Sequence, residues 1–155
     1  MRPNQSAPPQ PMSPGAPLAA GPIGPLEVTL TAGIGAPAAA RAHVIAWLTG
    51  HASATTIMDA RLAVSELVTN SIRHADAPID APIHVRARVL ADVLCLEVQD
   101  RGAGGAFTPR APDLENGGGF GLNVVEMVSR RWGVDRDAGT RVWAELAFSA
   151  HNSDL

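Results

Sequence analysis

The chain has little of three features that mark common function classes: cysteine, long apolar runs and clusters of basic residues. Cys95 is the only cysteine among 155 residues, which excludes an internal disulfide and a CxxC metal site. The leucines beside it predict an ordinary strand thiol. No apolar run reaches the roughly 18 residues that a membrane helix needs. With a net charge of −3 and no basic run, we expect neither a nucleic acid nor a membrane as partner.

The N-terminal segment differs in composition from the rest. Residues 1–25 contain eight of the thirteen prolines and almost no large apolar side chain, which predicts a disordered, partly polyproline tail, and a docking role for it stays open. Arg2 is not followed by a long apolar segment, so no signal peptide is predicted and a cytoplasmic location is expected. Residues 26–150 are long and apolar enough to form one domain with its own core.

Hydrophobic periodicity predicts a mixed order of helices and strands in that domain. Alternating residues predict strands at 26–31 and 83–89, and apolar runs and turn residues complete the pattern. The further elements are helices at 38–48, 53–75 and 120–132, and strands at 93–98, 133–137 and 141–148, with a loop at 101–118. Pro37 suits the first turn of a helix, Gly50 its end, and Ser53 or Thr55 the next cap. Hairpins separated by helices predict an α+β two-layer sandwich, with a mixed sheet and helices on one face.

The second predicted helix carries two different stripes. An apolar stripe should pack on the sheet, and its members are Ile57, Ala60, Val64, Leu67, Val68 and Ile72. Beside it, Glu66, Asn70 and His74 lie four residues apart. A solvated flank is the ordinary interpretation of such a stripe. Three consecutive poor helix formers, 69–71, favour a ligand site instead.

The side chains of the polar stripe could bind a metal ion and accept a proton. Asn70 could offer a carbonyl oxygen to Mg²⁺, which shares its coordination shell with phosphate oxygens and water. Glu66, one turn away, could act as a general base towards a hydroxyl or a water. Arg73 could contact a phosphate group.

Two glycine-containing segments follow in the sequence. Asp100 ends an apolar strand, where its carboxylate can accept a hydrogen bond from an amine such as that of adenine, and Gly102 and Gly104 let the backbone approach a flat ring. A plain strand-end turn is the alternative. A glycine-rich segment, 117–122, precedes the third helix, whose first amides could bind an anion, and a flexible loop is its alternative. The spacing fits neither a P-loop nor a dinucleotide fingerprint.

Taken in order, these motifs resemble a known family. The pieces are Glu66-x-x-x-Asn70, Asp100-x-Gly102-x-Gly104, Gly119-x-Gly121-Leu122 and Gly139-Thr140. They are similar to the four ATP-binding boxes of the GHKL superfamily, which joins gyrase, a heat-shock chaperone, histidine kinases and MutL. The small single-domain branch of anti-sigma-factor serine/threonine kinases is the most similar one, and the likeness covers residues 26–148. The resemblance implies a Bergerat-type ATP-binding fold.

The resemblance also implies a role for each motif residue. Asn70 would bind Mg²⁺ and Glu66 would be the general base, while Arg73 and His74 would line the phosphate and ribose side. Asp100 would bind the adenine amino group, and Thr140 would contact adenine from the far side. Glycines would shape the rest: Gly102 and Gly104 the adenine pocket, and Gly117, Gly118, Gly119 and Gly121 with Leu122 the ATP lid.

The same resemblance implies partners. In that branch, the phosphate acceptor is a serine of a small anti-anti-sigma protein of the STAS type, and a sigma factor is the other partner. Such relatives often pair, so a homodimer is also compatible with the resemblance. Phe120 stands between two lid glycines where the kinase branch usually has arginine, and an aromatic ring cannot make that charge-assisted contact. Three hypotheses follow: a serine kinase, a non-catalytic module that sequesters a regulator, and an ATPase that uses water, which the missing transducer domain disfavours.

Overall fold

Eight regular elements form the part of the chain that the structure describes. The structure is a computed structural model, and it describes residues 23–74, 80–100, 120–136 and 139–152. In chain order the elements are β1 (Leu26–Thr31), α1 (Ala36–Leu48), α2 (Ala54–His74), β2 (Pro82–Leu90), β3 (Val93–Asp100), α3 (Phe120–Val128), β4 (Arg131–Asp135) and β5 (Thr140–Ala147). The predicted α+β two-layer sandwich is confirmed.

The five strands form one sheet in the order β1-β2-β3-β5-β4. Each neighbouring pair is antiparallel, which corrects the prediction of a mixed sheet. The reason lies in the connection from β3 through α3 to β4. It joins two strands that run in the same direction, but β5 folds back between them and pairs with both. β3 and β4 are therefore parallel to each other but do not share hydrogen bonds.

The core lies between the helices and one face of the sheet. β2 and β3 place alternate side chains inward, and α2 supplies the apolar stripe that the sequence predicted. Of that stripe, the side chains of Ala60, Val64, Leu67 and Val68 are fully buried, while Ile57 and Ile72 are half-buried at its margin. This burial fixes the rotation of α2, and so determines which of its polar residues face the end of the sheet.

Local signals set the ends of the first two helices. Pro37 occupies the first turn of α1, and Gly50 follows its end with a φ of 82°, a conformation that glycine adopts without strain. Ser53 caps α2, because its Oγ accepts a hydrogen bond from the Thr56 backbone N–H at 3.2 Å. The structure thus selects Ser53 over Thr55 as the cap, and the predicted stop after α1 is confirmed.

The predicted third helix, 120–132, is too long at its C-terminal end. α3 ends at Val128, and Trp132 lies in β4, where it is buried opposite Ala144. The backbone N–H of Arg130 already donates to the carbonyl of Glu145 in β5, at 2.7 Å. The apolar spacing of this segment suits either structure, and pairing with β5 decides in favour of the strand.

The last residues of the predicted tail, 23–25, lie in the described part of the structure. Residues 1–22 lie outside the described residues, but Ile23 packs against the core and the carbonyl of Gly24 accepts a hydrogen bond from Nε1 of Trp47 at 2.8 Å. A half-buried indole N–H needs an acceptor, and this segment supplies one together with an apolar side chain. The domain therefore includes residues just before the predicted boundary at 26.

The outer face of the sheet, away from the helices, carries a line of ion pairs across four strands. Arg141 is central: its guanidinium contacts Glu97 at 2.9 Å and Asp135 at 3.3 Å, and Glu97 also contacts Arg86 at 3.4 Å. Arg141 and Glu97 are both buried, so each depends on the other to keep its charge satisfied. These ion pairs connect the four neighbouring strands β2, β3, β5 and β4 on this face.

Cys95 lies on this outer face of β3 and is buried. Burial raises the pKa of its thiol, and the nearby Arg88 opposes the shift only in part. A raised pKa keeps the thiol protonated and unreactive near neutral pH. The predicted role as an ordinary strand residue agrees with this environment.

We expect Gly133→Ala to destabilise the protein by about 1–3 kcal/mol. A Cβ at this position would lie 2.6 Å from Cζ2 and 2.8 Å from Cε2 of Trp143, and the buried indole ring is rigid. Urea unfolding monitored by circular dichroism would measure the change. Gly24→Ala is the matched control, because a Cβ there meets nothing within 4 Å, and we expect a change of less than about 0.5 kcal/mol. Equal stability of the two variants would contradict the prediction.

Candidate functional site

Three consecutive polar residues of α2 lie where the helix contacts the end of β3 through Ser71 and Asp100. They come from the triplet 69–71, and each has a different environment. Thr69 donates its hydroxyl to the carbonyl of Ser65, at 2.7 Å, so it remains within the helix. Asn70 and Ser71 are both buried. Two of the three poor helix formers, Asn70 and Ser71, therefore have buried side chains and do not face solvent.

Ser71 and Asp100 form a buried hydrogen bond. The hydroxyl of Ser71 donates to Oδ2 of Asp100 at 2.7 Å, and Asp100 is only 4% exposed. A carboxylate taken out of water needs such donors. The contact orients the carboxylate at the end of β3. Ser71 did not emerge as a site residue from the sequence, although it belongs to the triplet that was singled out.

Asn70 lies beside this pair and is incompletely satisfied. Asn70 is 8% exposed, and its Nδ2 has no hydrogen-bond partner among the described residues. Leaving a buried amide N–H unpaired costs about 1–3 kcal/mol. A folded protein usually avoids that cost unless the group has a use. The orphaned donor points to an acceptor beyond the described residues, such as a phosphate oxygen.

Thr140 completes the described end of the sheet. It begins β5, and in the strand register it stands opposite Asp100. On the other side of Asp100, the register pairs it with Ile83 of β2. Thr140 and Ile83 are both buried. The structure therefore brings together Asp100 and Thr140, and Ser71, the chain neighbour of Asn70, reaches them through its hydrogen bond to Asp100.

Glu66 and Arg73 lie at the accessible side of the same helix. Glu66 is half-buried and one helical turn before Asn70, a rise of roughly 6 Å. Arg73 is exposed, and the side chain of His74 lies outside the described part of the structure. A half-buried carboxylate next to a buried amide can be reached by a group that comes from solvent, which is what a general base requires.

A comparison with known protein families decides what this arrangement belongs to. The family described as the histidine kinase-like ATPase domain matches residues 31–146. This range covers the three helices, every residue of the site and the strands β2 to β5 except the last residue of β5, but only the last residue of β1. The chain belongs to this family. A comparison with curated proteins found no match. ATP binding is the activity that family membership supports, and Mg²⁺ is its usual companion.

Several predicted site residues of this histidine kinase-like ATPase domain have no described position. Gly102, Gly104, Gly117, Gly118 and Gly119 lie outside the described residues. Gly121 is the second residue of α3, and Leu122 is half-buried against the core. α3 packs on α2 and begins directly after the glycine run, so the predicted lid leads into a helix that is already anchored.

The donor set of the domain suits Mg²⁺ only together with phosphate. Among the described residues, no group of three His, Cys, Asp or Glu side chains could hold a metal ion. Mg²⁺ keeps near-octahedral oxygen ligands and is often bound through one or two protein groups plus substrate phosphates. The amide of Asn70 fits that use, with its oxygen for the ion and its orphaned N–H for a phosphate oxygen. Bound there, Mg²⁺ would neutralise phosphate charge.

No helix in the part of the chain that the structure describes is both long and apolar enough to cross a membrane.

Proposed function

We propose that this protein is an ATP-binding bacterial regulator that acts as an anti-sigma-factor serine/threonine kinase. It would transfer the γ-phosphate of ATP to a serine of an anti-anti-sigma partner of the STAS type, and a sigma factor would be its second partner. The site uses ATP with Mg²⁺, as the family relationship supports. A location in the cytoplasm, where these partners and ATP occur, is part of the proposal.

The observation that carries the proposal is the Asn70 amide N–H, which has no partner among the described residues, beside Ser71, which holds the buried Asp100 carboxylate. A purely structural helix end would leave no reason for an orphaned donor and a buried carboxylate at the same place. The carboxylate offers an acceptor for an amine of the base, and the amide offers contacts for phosphate and Mg²⁺. The two groups come from different elements, as expected for the two ends of one nucleotide.

Glu66 gives the site its chemical step. In the proposed reaction, Oγ of the acceptor serine forms a bond with the γ-phosphorus, and the bond between that phosphorus and the bridging oxygen of ATP breaks. The serine proton passes to the Glu66 carboxylate, and ADP leaves with the electron pair of the broken bond. Glu66 is half-buried and reachable, so it can meet a hydroxyl brought by another protein.

A second function is favoured by one residue. Phe120 takes the position between Gly119 and Gly121, and it brings no positive charge to a transferred phosphate. A module that binds ATP without transferring phosphate, and that sequesters a sigma factor or a similar regulator, needs no such charge. This module would keep the contacts of Asn70 and Asp100 but would not depend on Glu66.

The proposed nucleotide site predicts that Asn70→Ala lowers the affinity for ATP in the presence of Mg²⁺ by about 10- to 100-fold. The change removes the amide oxygen for the ion and the N–H for a phosphate. Calorimetry with and without Mg²⁺ would measure the affinity. We expect Mg²⁺ to strengthen ATP binding by the native protein and to have little effect on the variant.

The control for Asn70→Ala is Asn152→Ala. Asn152 is an exposed residue of the segment after β5, which runs beside the N-terminal end of α2. Asn152 follows closely on Ala150, which pairs with Ala52 just before that helix begins. The control should bind ATP as the native protein does. Native protein that binds no ATP would overturn both proposed functions. Transfer of labelled γ-phosphate to a panel of purified STAS-type proteins then separates the kinase from the sequestering module.

A further inference from the structure

Two large apolar side chains are exposed on α2 without a described partner. Met58 is 54% exposed and Leu62 is 41% exposed, and they are four residues apart. Single exposed apolar residues are common on protein surfaces. A pair on adjacent turns of one helix forms a continuous apolar surface instead. We name Met58 and Leu62 together the apolar row.

The apolar row continues into the candidate site. Met58, Leu62, Glu66 and Asn70 follow each other at intervals of four residues. Each interval of four residues advances by roughly 6 Å along the helix axis and turns by about 40° around it. Exposure decreases along these four residues, from the exposed Met58 and Leu62 through the half-buried Glu66 to the buried Asn70. The row therefore leads from open solvent directly to the proposed general base.

The order along the row gives the acceptor a direction of approach. On the Asn70 side, Glu66 is followed by the groups assigned to the nucleotide: the amide of Asn70 and the carboxylate of Asp100. A hydroxyl that attacks the γ-phosphorus must come from the side away from the leaving group. At Glu66, the side away from these groups is the side of Leu62.

A protein contact centred near Glu66 is large enough to cover the apolar row. A standard interface buries about 800 Å² on each partner, which corresponds to a disc with a radius of about 16 Å. Along the helix axis, Leu62 lies roughly 6 Å and Met58 roughly 12 Å from Glu66. A contact of this size that is centred near Glu66 therefore covers both residues, and methionine is among the residue types enriched at protein interfaces.

We propose that the apolar row is the docking surface for the protein acceptor of the phosphate. The occupant is a folded protein that presents an apolar patch within roughly 6–12 Å of its acceptor serine. The inference rests on the proposed kinase function and adds to it the surface that selects the acceptor. A short serine peptide without the apolar patch would reach Glu66 but would not engage the row.

The test uses Leu62→Glu and Met58→Glu in the full chain, with Met127→Glu as the matched control. Met127 is 84% exposed on α3 and does not belong to the row. Transfer of labelled γ-phosphate is measured against the members of the purified STAS panel that the native protein phosphorylates. We expect both row variants to raise KM for the acceptor by about tenfold or more, with kcat nearly unchanged, and the control to leave both within about twofold.

Four further measurements separate a docking effect from damage to the fold or to the nucleotide site. ATP affinity by calorimetry and helix content by circular dichroism should be unchanged in all three variants, because the substituted side chains are exposed. Leu62→Ala should raise KM less than Leu62→Glu, since it removes the apolar contact without burying a charge. A short peptide around the acceptor serine should be phosphorylated equally by native protein and row variants.

Three results would overturn the docking surface. Row variants with native KM would show that the acceptor docks elsewhere, and an equal rise in KM for Met127→Glu would show that the effect is general. Sedimentation that finds Leu62→Glu monomeric and the native protein dimeric would assign the row to contact between two copies. Failure of the native protein to phosphorylate any panel member would instead refute the proposed kinase function, and the docking surface with it.

Discussion

Glu66→Gln should lower the rate of phosphoryl transfer by about 10²- to 10⁴-fold while ATP affinity changes by less than about threefold. Glutamine keeps the shape of the side chain but cannot accept the serine proton. Glu66 is half-buried and lies one turn before Asn70, so its loss should spare the amide that binds phosphate and Mg²⁺. Single-turnover transfer to a panel member that the native protein phosphorylates, supplied in its unphosphorylated form, would measure the rate, and calorimetry would measure ATP binding.

The control for Glu66→Gln is Glu27→Gln, the same chemical change on β1. Glu27 is exposed and faces Arg86 on the outer side of the sheet at 3.8 Å, where an ion pair contributes little. The control should transfer phosphate at the native rate. A native rate of phosphoryl transfer in Glu66→Gln would show that Glu66 is not the general base. Native binding to a sigma factor with no transfer by any form of the protein would favour the sequestering module.

Asp100→Asn should weaken ATP binding by about 10- to 100-fold. The buried carboxylate accepts the Ser71 hydroxyl with Oδ2, and the adenine amino group is proposed as a further donor to it. In asparagine, one of the two carboxylate oxygens is replaced by an NH2 group, which donates and would oppose one of these donors. The loss should be smaller for GTP, because guanine presents a carbonyl where adenine presents the amine. Competition between ATP and GTP in calorimetry would measure this difference.

Two variants calibrate the Asp100 result. Asp92→Asn makes the same change in the exposed turn between β2 and β3, where the side-chain hydrogen bond from Arg130 lowers the pKa of the Asp92 carboxyl, and it should bind ATP normally. Ser71→Ala removes only the donor that orients Asp100, so its effect on affinity should be about fivefold. A native affinity in Asp100→Asn would show that the nucleotide base is bound elsewhere.

Local patterns in the sequence predicted much of the fold correctly. Strand alternation located β1 and β2, and Gly50 and Ser53 marked helix ends, because such signals act between neighbours in the chain. The apolar stripe of α2 predicted which side of the helix is buried. Once that side is known, the spacing of four between Glu66 and Asn70 sets their positions relative to the core.

Other features depended on partners that lie far away in the chain. The apolar spacing around Trp132 fits a helix, and only pairing with β5 makes it a strand. Ile23 and Gly24 have the composition of the proline-rich segment, but Ile23 packs against the core and Gly24 accepts a hydrogen bond from Trp47. β5 separates β3 from β4 and makes the sheet antiparallel. In each case a long-range contact outweighs a weak local preference.

The sequence by itself determined the residue types of the site and their order, because motif spacing on a helix or after a strand is a local property. It identified Glu66, Asn70 and Asp100 as candidates and the family that they resemble. Only the tertiary structure decided that Ser71 holds the Asp100 carboxylate, that the amide N–H of Asn70 has no partner among the described residues, and that the apolar row leads to Glu66. Burial and pairing arise when α2 packs on the sheet, and no single segment contains that information.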